Sequence, residues 1–130
     1  MDLRTGRVRM VQAGHPHPLV IRADGTTEFL GDGGVPIGLV PQVDYDGFET
    51  FLDDGDRLLL YSDGITECTL KDGSMLEEEG LLRIIDEIPE TKSGREFLED
   101  LYWHLTQVMD PQRGLEDDVS AALLDFRKSP

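Results

Sequence analysis

A chain of 130 residues is long enough for one domain with its own hydrophobic core and no need of disulfide staples. Its 38% hydrophobic and 30% charged residues describe an ordinary globular composition rather than a disordered one, and 27 acidic against 12 basic residues give a formal charge of −15 that repels nucleic-acid phosphates and anionic lipid headgroups. The single cysteine, Cys68, excludes an internal disulfide and a zinc spacing, and neither an apolar run of about 20 residues nor a signal-peptide layout at Met1-Asp2-Leu3-Arg4 is present, so the expectation is a cytoplasmic protein with no nucleic-acid or membrane partner.

Near-alternation of Val8, Met10 and Val11 with polar residues predicts a strand over 7–13, and Leu19, Val20 and Ile21 predict another over 17–23. Gly14-His15-Pro16 reads as the turn between them. Asp24-Gly25 suits a tight hairpin into a third strand over 26–30, so the simplest arrangement is an antiparallel meander. From Gly31 to Gln42 the glycines at 31, 33, 34 and 38 and the prolines at 36 and 41 predict an irregular loop. It is not a phosphate-binding P-loop, because no Lys-Ser/Thr pair and helix follow it.

A short strand is predicted over 48–52, and a stronger, central one over 57–61, where Leu58-Leu59-Leu60 is an unbroken apolar run between turn signals. Leu81, Leu82, Ile84, Ile85 and Ile88 fall at helical spacing, which predicts a helix over 76–88 that Pro89 ends. A second helix starts at Ser93, where Ser93 and Glu96 form a capping box, and Phe97, Leu101, Leu105 and Val108 make its packing stripe up to Asp110-Pro111. A last strand spans 119–126. No repeat or low-complexity tract interrupts the order, which is mixed α+β with most strands before the helices and one after.

The acidic positions of chemical interest stand at strand ends. Asp63-Gly64 follows the predicted central strand, and Asp117-Asp118 precedes the last one, so neighbouring strands would bring them together. Carboxylates from separate strand ends make an oxygen-rich pocket of the kind magnesium and manganese prefer, and the lack of a Cys/His cluster agrees with hard ligands. By themselves Asp-Gly is a common turn dipeptide and an acidic pair before a strand is commonly a solvated loop.

Longer strings decide between these readings. Gly55-Asp56-Arg57-Leu58-Leu59-Leu60-Tyr61-Ser62-Asp63-Gly64-Ile65-Thr66-Glu67 closely resembles a motif of the SpoIIE-like branch of the type-2C (PPM) metal-dependent protein phosphatases. Gln12-Ala13-Gly14-His15-Pro16 is similar to that branch's Asn-Ala-Gly-His segment, Pro36-Ile37-Gly38-Leu39 to its Pro-Leu-Gly segment, and Glu116-Asp117-Asp118-Val119-Ser120 to its closing Asp-Asp motif. Four motifs in family order span nearly the whole chain. Gln12, Ser62 and Ser120 stand where the family usually has Asn, Thr and Thr, exchanges that keep hydrogen-bonding capacity.

The resemblance implies an α+β fold, a type-2C-like β-sandwich with packed helices, here its C-terminal portion over 1–130 with the N-terminal strands and helices missing. It implies that Asp63 and Asp117 bind metal, with Asp118 a third candidate that supports the site or ligates directly, and that the complete domain holds two ions of manganese or magnesium. His15 would lie on a loop near the cleft, where ordering the loop is as good a role as chemistry. The implied reaction is hydrolysis of phosphoserine or phosphothreonine by a water activated between two metals, with no phosphoenzyme and so no role for Cys68. The family also uses an earlier bridging aspartate that Asp2 is badly placed to replace, so the chain alone is expected to be inactive. The implied partners are a phosphorylated regulatory protein, such as an anti-sigma-factor antagonist in bacterial signalling, and a receiver or sensory domain fused N-terminally; exposed strand edges favour a homodimer. The alternative is a phosphatase-like adaptor that binds its partner without catalysis, which the retained Asp63, Gly64, Asp117 and Asp118 argue against.

Overall fold

The computed structural model describes residues 1–11, 16–31, 47–92, 94–114 and 118–128, with only the backbone described at Val11, Gly47 and Phe48. The elements follow in the order β1 (Arg7–Val11), β2 (Leu19–Ile21), β3 (Thr27–Phe29), β4 (Gly47–Phe51), β5 (Arg57–Tyr61), α1 (Asp63–Thr66), α2 (Glu77–Glu87), α3 (Gly94–Val108) and β6 (Ala121–Asp125). This is the expected α+β order. The glycine- and proline-rich loop from Gly31 lies, apart from Gly31 itself, outside the described residues, as do Ser93 of the expected capping box, His15 and Asp117. Among the described residues no helix is long and apolar enough to cross a membrane.

The strands form a two-stranded sheet, β1-β4, and a four-stranded sheet in the order β3-β2-β5-β6. The expected meander of the first three strands is therefore corrected. Only β2 and β3 are a hairpin, while β1 pairs antiparallel with β4, from Arg7 opposite Phe51 to Val11 opposite Gly47. Alternation explains the face β1 buries, since Val8 is inside and Arg7 and Arg9 point out, but alternation does not name a partner. Arg7 Nε donates to Glu49 Oε2 across the pair at 2.8 Å. Gly6 ends this ladder with φ +78°, and a Cβ there would run into the carbonyl oxygen of Leu52, whose own N–H donates to the Gly6 carbonyl at 2.8 Å.

All three residues of β2 are buried, as befits a strand with neighbours on both sides, β3 and β5. The hairpin loop has three residues, Ala23-Asp24-Gly25, with Gly25 at φ +90° where an L-residue would be strained. Asp24 Oδ1 accepts from both the N–H and the hydroxyl of Thr26, at 2.9 and 2.7 Å. β5 lies inside the sheet as expected, although Leu60 of its apolar run is 41% exposed.

The chain divides into two compact units, Met1–Leu60 with Leu124–Pro130, and Tyr61–Leu123. In the first, Val8, Val20, Leu30, Leu52, Leu58 and Phe126 form one core with Met10 against it. Beside that core Asp56 is the buried charged residue among those described, at 3% exposure. Its Oδ1 accepts from Ala23 N at 2.9 Å, and its Oδ2 from Asp53 N at 2.8 Å and Arg22 Nη1 at 2.9 Å. Burial alone would raise its pKa, but those amides and the guanidinium outweigh it and hold the carboxyl below its ordinary value.

In the second unit α2 buries Leu81, Ile84 and Ile85, and α3 buries Phe97, Leu101 and Leu105, the periodic stripes read from the sequence, with Val108 left 36% exposed at the end. Each such side chain contributes roughly 1.5–3 kcal/mol by leaving water. Glu77, Glu78 and Glu79 occupy the first turn of α2, where the helix dipole favours anions. Ile88 turns to φ −82°, ψ 124° ahead of Pro89, the extended geometry that a following proline imposes. His104 Nδ1 donates to the Asp100 carbonyl at 2.9 Å, so its Nε2, 3.3 Å from Glu87 Oε2, donates to that carboxylate when the ring is protonated.

Candidate functional site

The sequence places its acidic candidates at the ends of two strands, and local hydrogen bonds join the backbone beside two of them, Asp63 and Asp118. β5 ends at Tyr61, and Ser62 follows in extended geometry, φ −84° and ψ 156°. The chain then tightens into the single turn α1, closed by Glu67 N donating to the Asp63 carbonyl at 2.8 Å and Ile65 N to the Ser62 carbonyl at 3.1 Å. Gly64 and Ile65 are buried and anchor the turn, which leaves Asp63 exposed as its first residue. This turn was not expected from the sequence, because four residues are too few to show a helical period.

Ser62 fastens the other acidic segment to it. Its N–H donates to the Ser120 carbonyl at 2.9 Å, its Oγ donates to the Asp118 carbonyl at 3.2 Å, and the same Oγ accepts from Ser120 N at 2.9 Å. Asp118 is exposed, like Asp63, so both acidic side chains belong to neighbouring stretches of backbone held by one serine. Sequence reasoning noted Ser62 only as a replacement for Thr and missed this role; the signal available was a hydroxyl residue immediately before one acidic position and another, Ser120, two residues after the other.

Asp117 lies outside the described residues, and among the described residues no group of three or more His, Cys, Asp or Glu side chains stands close enough to hold a metal ion. The donor chemistry of Asp63 and Asp118 is nevertheless of the right type for a hard divalent cation, which takes oxygen ligands and retains several waters. Cys68 is buried just past α1, and burial pushes its thiol pKa up, which disfavours the thiolate. Tyr61 is also buried, and desolvation together with the nearby charge of Glu78 pushes its phenol pKa up.

Comparison with known proteins identifies the family and the fold. The family profile described as stage II sporulation protein E (SpoIIE) matches residues 1–127. Phosphoserine phosphatase RsbU of Bacillus subtilis (strain 168) is 34% identical over 113 residues, which cover 86% of this chain and 32% of the relative; the chain thus spans about a third of that relative's length. Among solved structures, the RsbU and RsbW domains of a Mycobacterium tuberculosis protein match with a TM-score of 0.79 at 24% identity, over 100% of this chain and 36% of that one. The manganese-presoaked phosphatase domain of SpoIIE from Bacillus subtilis matches with a TM-score of 0.76 at 20% identity, over 100% of this chain and 55% of that one. The fold is accordingly that of part of a type-2C phosphatase domain.

Proposed function

Because this chain belongs to the SpoIIE family, we propose that it forms part of a metal-dependent protein phosphatase that hydrolyses phosphoserine or phosphothreonine on a regulatory protein. The observation that carries the reading is the Ser62 clip, which holds the backbone at Asp63 beside the backbone at Asp118 and so assembles acidic donors from two distant motifs. On this reading Asp63 and Asp117 hold manganese or magnesium, and Asp118 supports them or adds a ligand. The metal supplies charge neutralisation for the phosphoryl oxygens and an acidified water. The protein's own part is to keep the carboxylates in place, through Ser62, α1 and the segment 118–120, and to leave them exposed to a phosphoprotein.

Three carboxylates are few for two divalent ions of about six-fold coordination. On this reading the 130 residues by themselves have little or no activity, and further ligands from the rest of such a domain complete the pair. By the same reading the substrate is a phosphorylated anti-sigma-factor antagonist in a bacterial signalling pathway, and a receiver or sensory domain in the parent controls access to it.

Manganese calorimetry on the chain, with Asp63→Asn, Asp117→Asn and Asp118→Asn in parallel, tests the ligand assignment, and phosphate release from a phosphoserine protein tests the reaction. Asp63→Asn and Asp117→Asn are expected to weaken manganese binding by tenfold or more, about 1.4 kcal/mol, and Asp118→Asn by less. Unchanged binding in all three removes the assignment, and robust turnover by the 130 residues alone removes the claim that they have little or no activity.

A further inference from the structure

A groove of about 460 Å3 runs beside α2 in the second unit, between that helix, the loop closed by the Thr69–Met75 bridge, and the end of α3 at Val108. Its helical wall is a single stripe, Glu77, Gly80, Arg83, Ile84 and Glu87, whose spacing of three and four carries it along the whole helix. At 1.5 Å per residue that is a trough about 15 Å long. Gly80 keeps its middle shallow and open; a Cβ there would come 2.5 Å from Leu76 Cδ1. The floor is apolar, with Leu76 and Ile84 buried, while Met75 is 49% and Val108 36% exposed along it. Its charged lining is four carboxylates, Asp72, Glu77, Glu79 and Glu87, against Arg83 alone, and Glu77 and Glu87 stand at opposite ends.

We propose that this groove docks a cationic amphipathic segment of a protein partner, with apolar side chains against Met75 and Val108 and lysine or arginine at each carboxylate end. Charge complementarity selects the occupant. A neutral apolar segment would partly desolvate four carboxylates that Arg83, beside Glu79, and His104, beside Glu87, only partly offset, and an acidic one would be repelled by them and by the chain's charge of −15. A length of about 15 Å accommodates some three turns of helix, long enough to present basic residues to both ends and apolar ones between, the helix-in-groove mode of recognition. The surface involves neither Asp63 nor the segment 117–120, so it stands or falls apart from the phosphatase reading.

The probe is a fluorescein-labelled, helix-forming peptide of about 12 residues with leucine at i, i+3, i+4 and i+7 and lysine elsewhere, titrated into the chain. Its controls are a scrambled peptide of the same composition and one with glutamate in place of lysine. Saturable binding is expected for the first alone, weakened about tenfold by Met75→Asp and by Glu77→Lys with Glu79→Lys, and weakened by added salt. These positions are exposed, and circular dichroism confirms that the variants are folded. Equal binding of the scrambled peptide, no binding at all, or indifference to the substitutions overturns the proposal. So does sedimentation showing that Met75→Asp abolishes self-association, which would make a second copy of the chain the occupant.

Discussion

Replacing Asp56 by alanine removes the carboxylate that accepts from the amides of Ala23 and Asp53, while the Arg22 guanidinium keeps the Phe51 carbonyl and Glu28 as partners. Each amide left without its acceptor costs about 1–3 kcal/mol, and Arg22, 27% exposed and still paired with Glu28, adds little, so a loss of about 3 kcal/mol is expected. With a urea slope of about 2 kcal/mol per molar, the unfolding midpoint falls by about 1.5 M. Asn at this position can turn its oxygen toward Asp53 N and Arg22 but then sets its own amide against Ala23 N–H, so Asp56→Asn is expected to cost about 1–2 kcal/mol. The pH dependence follows from the lowered carboxyl pKa. A group ionised more readily in the folded state adds stability above its unfolded pKa, near 3.8, and that stability is lost as pH falls through the lower folded value. The gap between wild type and Asp56→Ala in urea titrations therefore shrinks on acidification below pH about 4. A change under about 0.5 kcal/mol at pH 7, or a gap undiminished in acid, refutes the account.

Gly6→Ala forces a Cβ onto the Leu52 carbonyl in a left-handed backbone, and thermal unfolding should report a loss of at least about 2 kcal/mol; a neutral result means the β1–β4 end is laxer than described. The buried Tyr61 hydroxyl has no hydrogen-bond partner among the described residues, so Tyr61→Phe should leave stability unchanged or raise it by up to about 1 kcal/mol in urea unfolding, and a clear loss would point to a partner. Ser62→Ala deletes both Oγ bonds and should cost about 1–2 kcal/mol and weaken manganese binding, whereas Ser62→Thr should restore both.

Elements with a long apolar period were legible in the sequence. α2 and α3 bury the residues their spacing named, and β5 sits inside its sheet as Leu58-Leu59-Leu60 suggested. Pairing was not legible, because β1 and β4 are some forty positions apart and alternation fixes which face is buried without fixing which edge is met. Nor was Asp56, which lies within the motif around Asp63 and carries no local sign of the three donors that reach it from residues 22, 23 and 53. Of the acidic candidates, Asp63 follows β5 and Asp118 precedes β6, the strand-end positions read from the sequence. The role of Ser62 left only a faint sign, the hydroxyl residues at 62 and 120, because its partners are 56 and 58 residues away.

Position 62 also sets a limit on redesign. As the residue ahead of α1 it is a place where helix rules rank serine level with aspartate and asparagine, yet Ser62 makes no side-chain cap bond to that turn. Its hydroxyl gives a proton to one backbone carbonyl and takes one from a backbone amide across the strand pair. Aspartate could only accept and would set its oxygens against the Asp118 carbonyl, so an exchange that helix rules count as neutral would leave only the backbone bond from Ser62 N to the Ser120 carbonyl of the three that join Ser62 to the segment 118–120.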